Sequence, residues 1–598
     1  MKAVIFNSGL GKRMGGLTEH NHKSMVRLQN GESIFERQLR LLHECGIDEF
    51  VVTVGPFKEQ LLQASKAPHL AGCQFTFVEN PIYDRTNYIY SMFLAKEHIT
   101  GDLLFMHGDL VFDKALVRAI INSPLPSLGC VNRKKALPEK DFKARIEGGC
   151  IREVSVSIFD NNCFAFQPFY KLSASDAAAW VGQVEKFIAE GKDQCYAENA
   201  MNEIFPQLSV REFDYSGYYV DEVDTAEDLA RVSSEIRRFD FAQQEMYSGI
   251  GSLGEIMKRY GLKKAFVVCG VPKAMLAEFD FPHEVFDQFT PNPRYEEVCS
   301  GVEKFLSSEC DCIVSFGGGS AIDVAKCIKL YSVMDSSKPY IDQPHRFNAT
   351  KHIAIPTTAG TGSESTRYSV IYYNGVKQSI TDDGILPDAY ISDASLLKGL
   401  PEYHKKSAML DALCHAVESM WSVNADEESA EYSASALLKI LANYRAYLNG
   451  DEAAAGEILS ASNLAGRAIN ISQTTAAHAM CYKMTSVFGI AHGHAAALCL
   501  PEVWHYIAEH TDSCIDPRGK GHLAGVIDRL SGCFGCDTVE QSIERYRDIL
   551  SELQLREVAC SDEKILNKLS DSVNPERLGN CPVPLGREAL SDMYRRIL

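Results

Sequence analysis

The chain has 598 residues, 45% of them hydrophobic and 23% charged, with a formal net charge of −19. That length allows roughly two to four domains, and the acidic balance sets the surface against the phosphate backbone of nucleic acids, so an anionic ligand has to be caught by local lysine, arginine or metal. No apolar run approaches the roughly 18–20 residues of a membrane span, the apolar start of MKAVIFNSGLGKRMGG is too short for the core of a signal peptide, and nineteen scattered cysteines, with Cys533 and Cys536 lacking a second pair for a zinc site, lead us to expect a reducing, cytoplasmic setting.

The first residues read as a strand, KAVIF (2–6), running into a glycine-rich loop with Gly9, Gly11, Lys12 and Arg13. Loop N–H groups and two cations can cradle a triphosphate. The spacing of a Walker loop is absent, and a plain strand–turn–helix is the ordinary alternative. Lys23 follows in HKSMVRL (22–28), and SIFERQLRLLHECG (33–46) has the apolar spacing of a helix that stops at Gly46. Further strands are expected at FVVTV (50–54), FTFVE (75–79) and LLFMHGD (103–109). This alternation predicts a mostly parallel sheet with ligands at the strand C-termini. Asp109 closes the last of these strands, and Asp224 opens a charged amphipathic helix, DTAEDLARVSSEIRRF (224–239). Two carboxylates at separate strand ends can share Mg²⁺, although an aspartate before a helix is also a good N-cap. The basic stretch RKKALPEKDFKAR (133–145) either holds an acceptor's anionic group or is a solvated loop.

Together, NSGLGKRMGGLTEHNHKSMV and the two aspartates resemble the sugar-nucleotidyltransferase superfamily over about residues 1–235, with the nearest likeness to choline-phosphate and phosphonate cytidylyltransferases. His22 stands where that family has proline, so only Lys23 carries over from the element. TNYIYSMFLA (86–95) resembles the family's Asn-x-x-x-Ser element, which implies that Asn87 and Ser91 lie near the nucleotide, and YAENAMNEI (196–204) is similar to its acceptor-side segment. The resemblance implies a Rossmann-like, GT-A-like nucleotidyltransferase domain at 1–235. In it an ionised acceptor oxygen attacks the α-phosphorus of CTP and pyrophosphate leaves, while Mg²⁺, Lys23 and Arg13 align and neutralise the charges.

A second unit starts near Met246, with a new buried strand at KAFVV (264–268). We place its α/β half at 236–400 and an all-helical half at 401–598, where β signals fade and runs such as KSAMLDALCHAVESMW (406–421) and AEYSASALLKILANYRAYL (430–448) dominate. CIVSFGGGSAIDVAKCIKLY (312–331) reads as strand, glycine loop and helix, in which Gly317, Gly318 and Gly319 let the backbone approach a pyrophosphate at a helix N-terminus. Asp411 and His415 lie four apart on one helical face, and His478 and His492 follow. A carboxylate and three imidazoles suit Fe²⁺ or Zn²⁺, and a cation removes the cost of burying Asp411 in an apolar helix.

At these residues the chain resembles the iron-containing (group III) alcohol dehydrogenase family, over nearly all of 240–598. DALCHAVE is similar to the family's first two ligands, Asp411 and His415, and HAM with HGHA to the third and fourth, His478 and His492. The resemblance implies a dehydroquinate synthase-like fold using NADH or NADPH. It makes GGGSAIDVAK the pyrophosphate loop, with Ser320, Asp323 and Lys326, and IPTTAGTGSE (355–364) a second cofactor loop, with Thr357, Thr358, Gly360, Thr361, Gly362 and Ser363. The strand end VVCGVPK (267–273) lacks the acid that many members use to hold the adenosine ribose, which leaves NADPH open. The family's histidine one turn after the third ligand is here Tyr482, so the proton is expected through water or Tyr482, and Lys483 follows. AMCYKMTS resembles phosphonoacetaldehyde reductases, which implies that Lys483 holds an anionic substrate group; a solvent-facing lysine is the alternative.

The fusion suggests consecutive steps on small molecules. Phosphonoacetaldehyde would be reduced to 2-hydroxyethylphosphonate, which CTP would convert to CMP-2-hydroxyethylphosphonate. The same two reactions on other substrates, such as a choline- or aminoethyl-type acceptor and an unrelated small aldehyde, are one alternative. A nucleotide-sensing N-terminal unit that regulates the reductase is another. Family likeness also allows a homo-oligomer.

Overall fold

The computed structural model describes every residue except Leu10 and Gln243, leaving aside the side chains of Arg238, Phe241, Ala242, Glu278 and Glu576. It builds the first unit, Met1–Gln243, on a nine-stranded sheet. Four parallel strands stand in the order Gln74–Glu79, Glu49–Val54, Lys2–Asn7 and Leu103–His107. Cys163–Leu172 then runs antiparallel and carries the sheet on into the remaining strands. The continuous apolar runs are what a sheet covered on both faces requires. Val4, Phe6 and Phe105 pack into the core on one face, and Ala3, Ile5, Leu104 and Met106 into the core on the other.

The helix expected at 33–46 forms as Ile34–His43. Ser33 and Glu36 close a capping box at its start, and Gly46 turns away at φ 88°. The charged helix runs Ala226–Ala242. Val232 and Ile236 pack with Met14, Val26 and Ile34, and Asp240 receives two hydrogen bonds from the buried Arg37. The whole helix therefore belongs to the first unit, and the division falls at Gln243 rather than at about 235.

In the second unit, Gln244–Leu598, six parallel strands stand in the order Glu245–Ser248, Ala389–Ser392, Lys351–Pro356, Cys312–Gly317, Ala265–Cys269 and His283–Phe286. A hairpin, Tyr368–Tyr373 with Val376–Thr381, adjoins it. From Glu402 onward the regular elements of the described residues are helices. The central one, Glu402–Trp421, is buried at fourteen positions, including Asp411 and His415. Among the described residues no helix is long and apolar enough to cross a membrane.

Candidate active sites

In the first unit a cavity of about 380 Å³ opens where strands Lys2–Asn7 and Leu103–His107 end. Gly9, Gly11, Lys12, Arg13, Lys23, Asn87, Asp109 and Asp224 all line it. Gly11 has φ 63°, and a Cβ there would stand 2.9 Å from Lys23 Cβ, so only glycine lets the loop lie against that lysine. Lys23 Nζ donates to Asp109 Oδ2 and Asp224 Oδ1, each at 2.6 Å, and Arg13 lies 2.8 Å from Asp224 Oδ1. Burial opposes the Lys23 charge, yet the two aspartates push its pKa up. Burial likewise opposes ionisation of Asp109, but Lys23 and His107 hold it below the usual carboxylate range.

Asp224 is not spent as a helix cap. Thr225 does that work, its Oγ1 accepting from Asp228 N at 3.1 Å. The cavity also holds Glu222 and Asp141, which sequence reasoning missed. Donor atoms of Asp141, Glu222 and Asp224 lie within 4.8 Å of one another, as do those of His107, Asp109 and Glu222. Burial, Asp109 and Asp224 push the Glu222 carboxyl well above its usual range. The buried Asp109 Oδ1 has no hydrogen-bond partner. An oxygen-rich divalent site such as Mg²⁺ prefers fits this donor set. The signal for Glu222 was legible: it stands two residues before Asp224, which is one face of an extended segment.

One expectation here needs correction, and one open alternative is narrowed. Ser91 does not line the cavity; it is buried behind the loop, its Oγ 2.6 Å from Ser8 Oγ. The basic stretch 133–145 is mostly committed internally. Arg133 pairs with Glu212, Arg145 with Glu153 and Asp160, and Lys143 donates to the Pro138 and Val156 carbonyls, which leaves Lys140 as its cation on the cavity wall. His22, in the place of the family's proline, ties the lysine segment to the strand end. Its Nε2 is 2.6 Å from Asn7 O and its Nδ1 2.9 Å from Ser24 Oγ, and burial pushes the imidazole down to about 4.

In the second unit a cavity of about 830 Å³ runs from the glycine loop to Asp411, His415, His478 and His492. Donor atoms of Asp411, His478 and His492 lie within 4.8 Å of one another, and the His415 ring stacks on His478 at 4.4 Å. Asp411 Oδ1, His415 Nδ1 and His478 Nε2 are buried without hydrogen-bond partners. A carboxylate and imidazoles orphaned together are the donor set of Fe²⁺ or Zn²⁺, so the residues fit a divalent ion. Gly493 makes the close approach possible: a Cβ there would stand 2.0 Å from Ser407 O and 2.7 Å from Asp411 Cβ. Behind the cluster lies Glu418, also missed. It is fully buried and pairs with His478 Nδ1, turning Nε2 toward Asp411 at 3.4 Å. Glu418 stands three residues after His415, on the same helical stripe. Burial pushes His415 down to about 4 and His492 to about 3. His478 is pushed up to about 10, because Glu418 and Asp411 outweigh burial.

Gly318, Gly319, Ser320, Asp323, Thr358, Thr361 and Ser363 line the cofactor side of this cavity. Helix Gly319–Tyr331 has no side-chain cap, so its first N–H groups are free for a pyrophosphate. A Cβ on Gly319 would meet Thr361 at 2.9 Å, which keeps the two loops together. Gly317, Lys326, Thr357, Gly360 and Gly362 do not line the cavity. Lys326 is buried beneath it, donating to Ser363 O at 2.6 Å and Tyr368 O at 2.7 Å, and so braces the second loop. A Cβ on Gly360 would meet Ala408 O, and one on Gly362 would meet Ser462 O, so both glycines serve packing against the helical half. Asp287, from the end of strand His283–Phe286, also lines the cavity and is paired with Lys273 at 2.7 Å.

Tyr482 lines the same cavity and stacks on His492 with 7° between the planes. Burial pushes its phenol up, so it keeps its proton. Lys483 does not line the cavity. One helical position turns it off the face that Tyr482 and His478 share. The cavity's lysine and arginine are instead Lys377, from the hairpin, and Arg577, from the short helix Pro575–Leu578. Neither had a local signal in the sequence.

The profile of iron-containing alcohol dehydrogenases matches residues 245–394, and that of the C-terminal part of the Fe-containing alcohol dehydrogenase family matches 406–596. The profile of MobA-like NTP transferase domains matches residues 3–134. Phosphonoacetaldehyde reductase of Streptomyces viridochromogenes is 30% identical over 49% of this chain and 78% of its own. NADPH-dependent butanol dehydrogenase of Clostridium saccharobutylicum is 28% identical over 59% of this chain and 95% of its own. Among solved structures, sulfoacetaldehyde reductase from Bifidobacterium kashiwanohense in complex with NAD⁺ is similar, with a TM-score of 0.53, 26% identity, and coverage of 59% of this chain and 97% of its own.

Proposed function

This chain belongs, through its C-terminal unit, to the iron-containing alcohol dehydrogenase family and carries a MobA-like NTP transferase domain ahead of it; from that premise we propose that the two active sites act in sequence on one phosphonate. The second unit reduces phosphonoacetaldehyde to 2-hydroxyethylphosphonate. The first joins that product to CMP from CTP and releases pyrophosphate. The observation that supports the reductase reading most is that one cavity joins the uncapped helix at Gly319 to Asp411, His478 and His492.

In the reductase, Asp411, His415, His478 and His492 hold Fe²⁺ or Zn²⁺, which when bound supplies a Lewis acid for the aldehyde oxygen. NADH or NADPH supplies the hydride that reaches the carbonyl carbon. The N–H groups at Gly319 and Ser320 bind the pyrophosphate. Glu418 fixes the His478 ring, and Lys326 braces the loop that carries Ser363. The protonated Tyr482 phenol is the proton donor that turns the product alkoxide into an alcohol.

In the transferase, Gly9, Gly11, Lys12 and Arg13 wrap the triphosphate, with Asn87 beside the nucleotide. Asp109, Glu222 and Asp224 hold Mg²⁺, which when bound neutralises phosphate charge. Lys23 then turns from the aspartates to the α-phosphate. An ionised phosphonate oxygen forms the new P–O bond as the bond to the β-phosphate breaks, so no general base is needed.

A second reading of the acceptor has its own support. The rings of Tyr88, Phe142 and Tyr196 line the first cavity beside Asp141 and Glu222. Aromatic faces beside carboxylates suit an ammonium head, as in 2-aminoethylphosphonate or phosphocholine. The test is the purified full chain with phosphonoacetaldehyde, CTP, Mg²⁺ and either NADH or NADPH. Aldehyde-dependent nicotinamide oxidation and pyrophosphate release that starts only after reduction are expected. Absence of the first refutes the reductase reading, and release with the aminated acceptor alone refutes the hydroxylated one.

A further inference from the structure

We infer that Arg577, with Lys377 beside it, forms the subsite that grips the anionic head of the aldehyde, and that Arg577 sets the preference for aldehydes bearing a tetrahedral oxyanion. This rests on reading the second unit as a reductase of such an aldehyde.

Among the described residues, Lys377 and Arg577 are the lysine and arginine on the wall of the 830 Å³ cavity. Its acids are otherwise engaged. Asp411 belongs to the cation cluster, Asp323 accepts from Ser363 Oγ at 2.7 Å and from Val370 N at 3.1 Å, and Asp287 pairs with Lys273. Among the described residues, Lys377 and Arg577 thus face a shared space with no carboxylate in ion-pair contact.

Lys377 lies close to the reacting end, and Arg577 lies on the wall of the same cavity. Lys377 Nζ stands 3.2 Å from the centroid of the Tyr482 ring, and that ring stacks on His492 at 5.5 Å. Arg577 sits with its guanidinium carbon 6.0 Å from the Tyr368 ring, on the same cavity. Burial pushes the Lys377 ammonium down to about 8, and the Arg577 charge acts in the same direction. Two like charges in a partly desolvated space destabilise each other unless an anion lies between them. A compact oxyanion with several acceptor oxygens meets both donors at once, and the arginine fork suits phosphonate or sulfonate geometry. The aldehyde carbon, one methylene away from such a head, then points back along Tyr482 to the cation cluster. A neutral aldehyde leaves both charges with ring faces alone and no anion.

The test uses the full chain loaded with its metal and measures kcat/KM for phosphonoacetaldehyde, sulfoacetaldehyde and the neutral propanal. Binding of 2-hydroxyethylphosphonate to the same protein with NAD(P)⁺ is measured by calorimetry. Arg577→Gln is expected to lower the ratio of kcat/KM for the anionic over the neutral aldehyde by roughly 10- to 100-fold and to weaken 2-hydroxyethylphosphonate binding to a similar degree. Arg577→Lys is expected to recover part of both. A larger loss for phosphonoacetaldehyde than for sulfoacetaldehyde identifies a dianion subsite, and the reverse a monoanion subsite; either supports the assignment. Metal content and melting temperature of the variant confirm that the fold is kept. A parent enzyme with no preference for anionic aldehydes overturns the substrate reading and this subsite with it. A preference that survives in Arg577→Gln, or a variant that alters only the KM for NAD(P)H, overturns the subsite alone.

Discussion

Glu418→Gln is the sharpest probe of the cation cluster, because the change is isosteric, removes no proposed ligand, and acts only through the His478 ring that Glu418 holds. Glu418 Oε1 accepts from Thr475 N at 3.1 Å, Thr475 Oγ1 at 2.6 Å, Ala477 N at 2.9 Å and His478 N at 3.4 Å, while Oε2 pairs with His478 Nδ1. Four donors on one oxygen force a glutamine to keep its carbonyl there, so its NH₂ faces His478. Nδ1 must then accept, and the ring proton moves to Nε2, the atom that faces Asp411 at 3.4 Å. A protonated Nε2 has no lone pair for a cation. The alternative flip sets the amide NH₂ against four donors in a dry core. Losing one hydrogen bond to a charged group costs about 1.5–3 kcal/mol, which is roughly a 10- to 100-fold weakening of metal affinity. The assay is competition between the protein and a chromophoric chelator under anaerobic conditions, with aldehyde reduction followed in parallel. Metal affinity within about twofold of the parent, in a variant with an unchanged melting curve, refutes the tautomer argument.

Other expectations follow from the same geometry. Asp224→Asn should cut pyrophosphate release by at least roughly 100-fold while leaving the melting temperature nearly unchanged, because Thr225 caps the helix; a large loss of stability would contradict that division of labour. Lys483→Gln should keep kcat/KM for phosphonoacetaldehyde within about twofold of the parent, since the side chain is off the cavity wall; a loss like that expected for Arg577→Gln would restore the lysine to the site. His22 is held at about 4, below its ordinary 6.5, so the unfolded chain binds this proton more readily than the folded one. Its stabilising contribution is complete above pH 6.5 and is lost as pH falls toward 4, at about 1.4 kcal/mol per pH unit. The first unit of His22→Gln should therefore lose stability less steeply than the parent between pH 6.5 and 4 in denaturant titrations, and equal slopes would refute the assignment.

Much of the architecture was legible in the residues. The apolar runs at 2–6, 50–54 and 103–109 became neighbouring parallel strands, because a segment that buries both faces has few other solutions. In the proposed cation cluster only the shared helical face of Asp411 and His415 was local pattern; the room that Gly493 leaves against Ser407 O shows only in the fold. Local pattern went wrong where charge or spacing alone was the guide. Lys483 looked close to a proposed ligand along the chain, yet one helical position, about 100° of rotation, turns it off the cavity. The basic stretch at 133–145 left an anion site and a solvated loop both open, and charge pattern could not show that Glu212, Glu153 and Asp160 pair with Arg133 and Arg145.

By itself the sequence determined the order of the two units and the glycine turns, which show as local pattern along the chain. Tertiary structure alone decided which charges remain unanswered. Lys377 and Arg577 are 200 positions apart on a hairpin and a short helix, and whether a cation is spent on a neighbour or left facing a cavity depends on carboxylates that only folding brings within ion-pair reach. Electrostatic energy follows distance in space, and local periodicity carries no record of it.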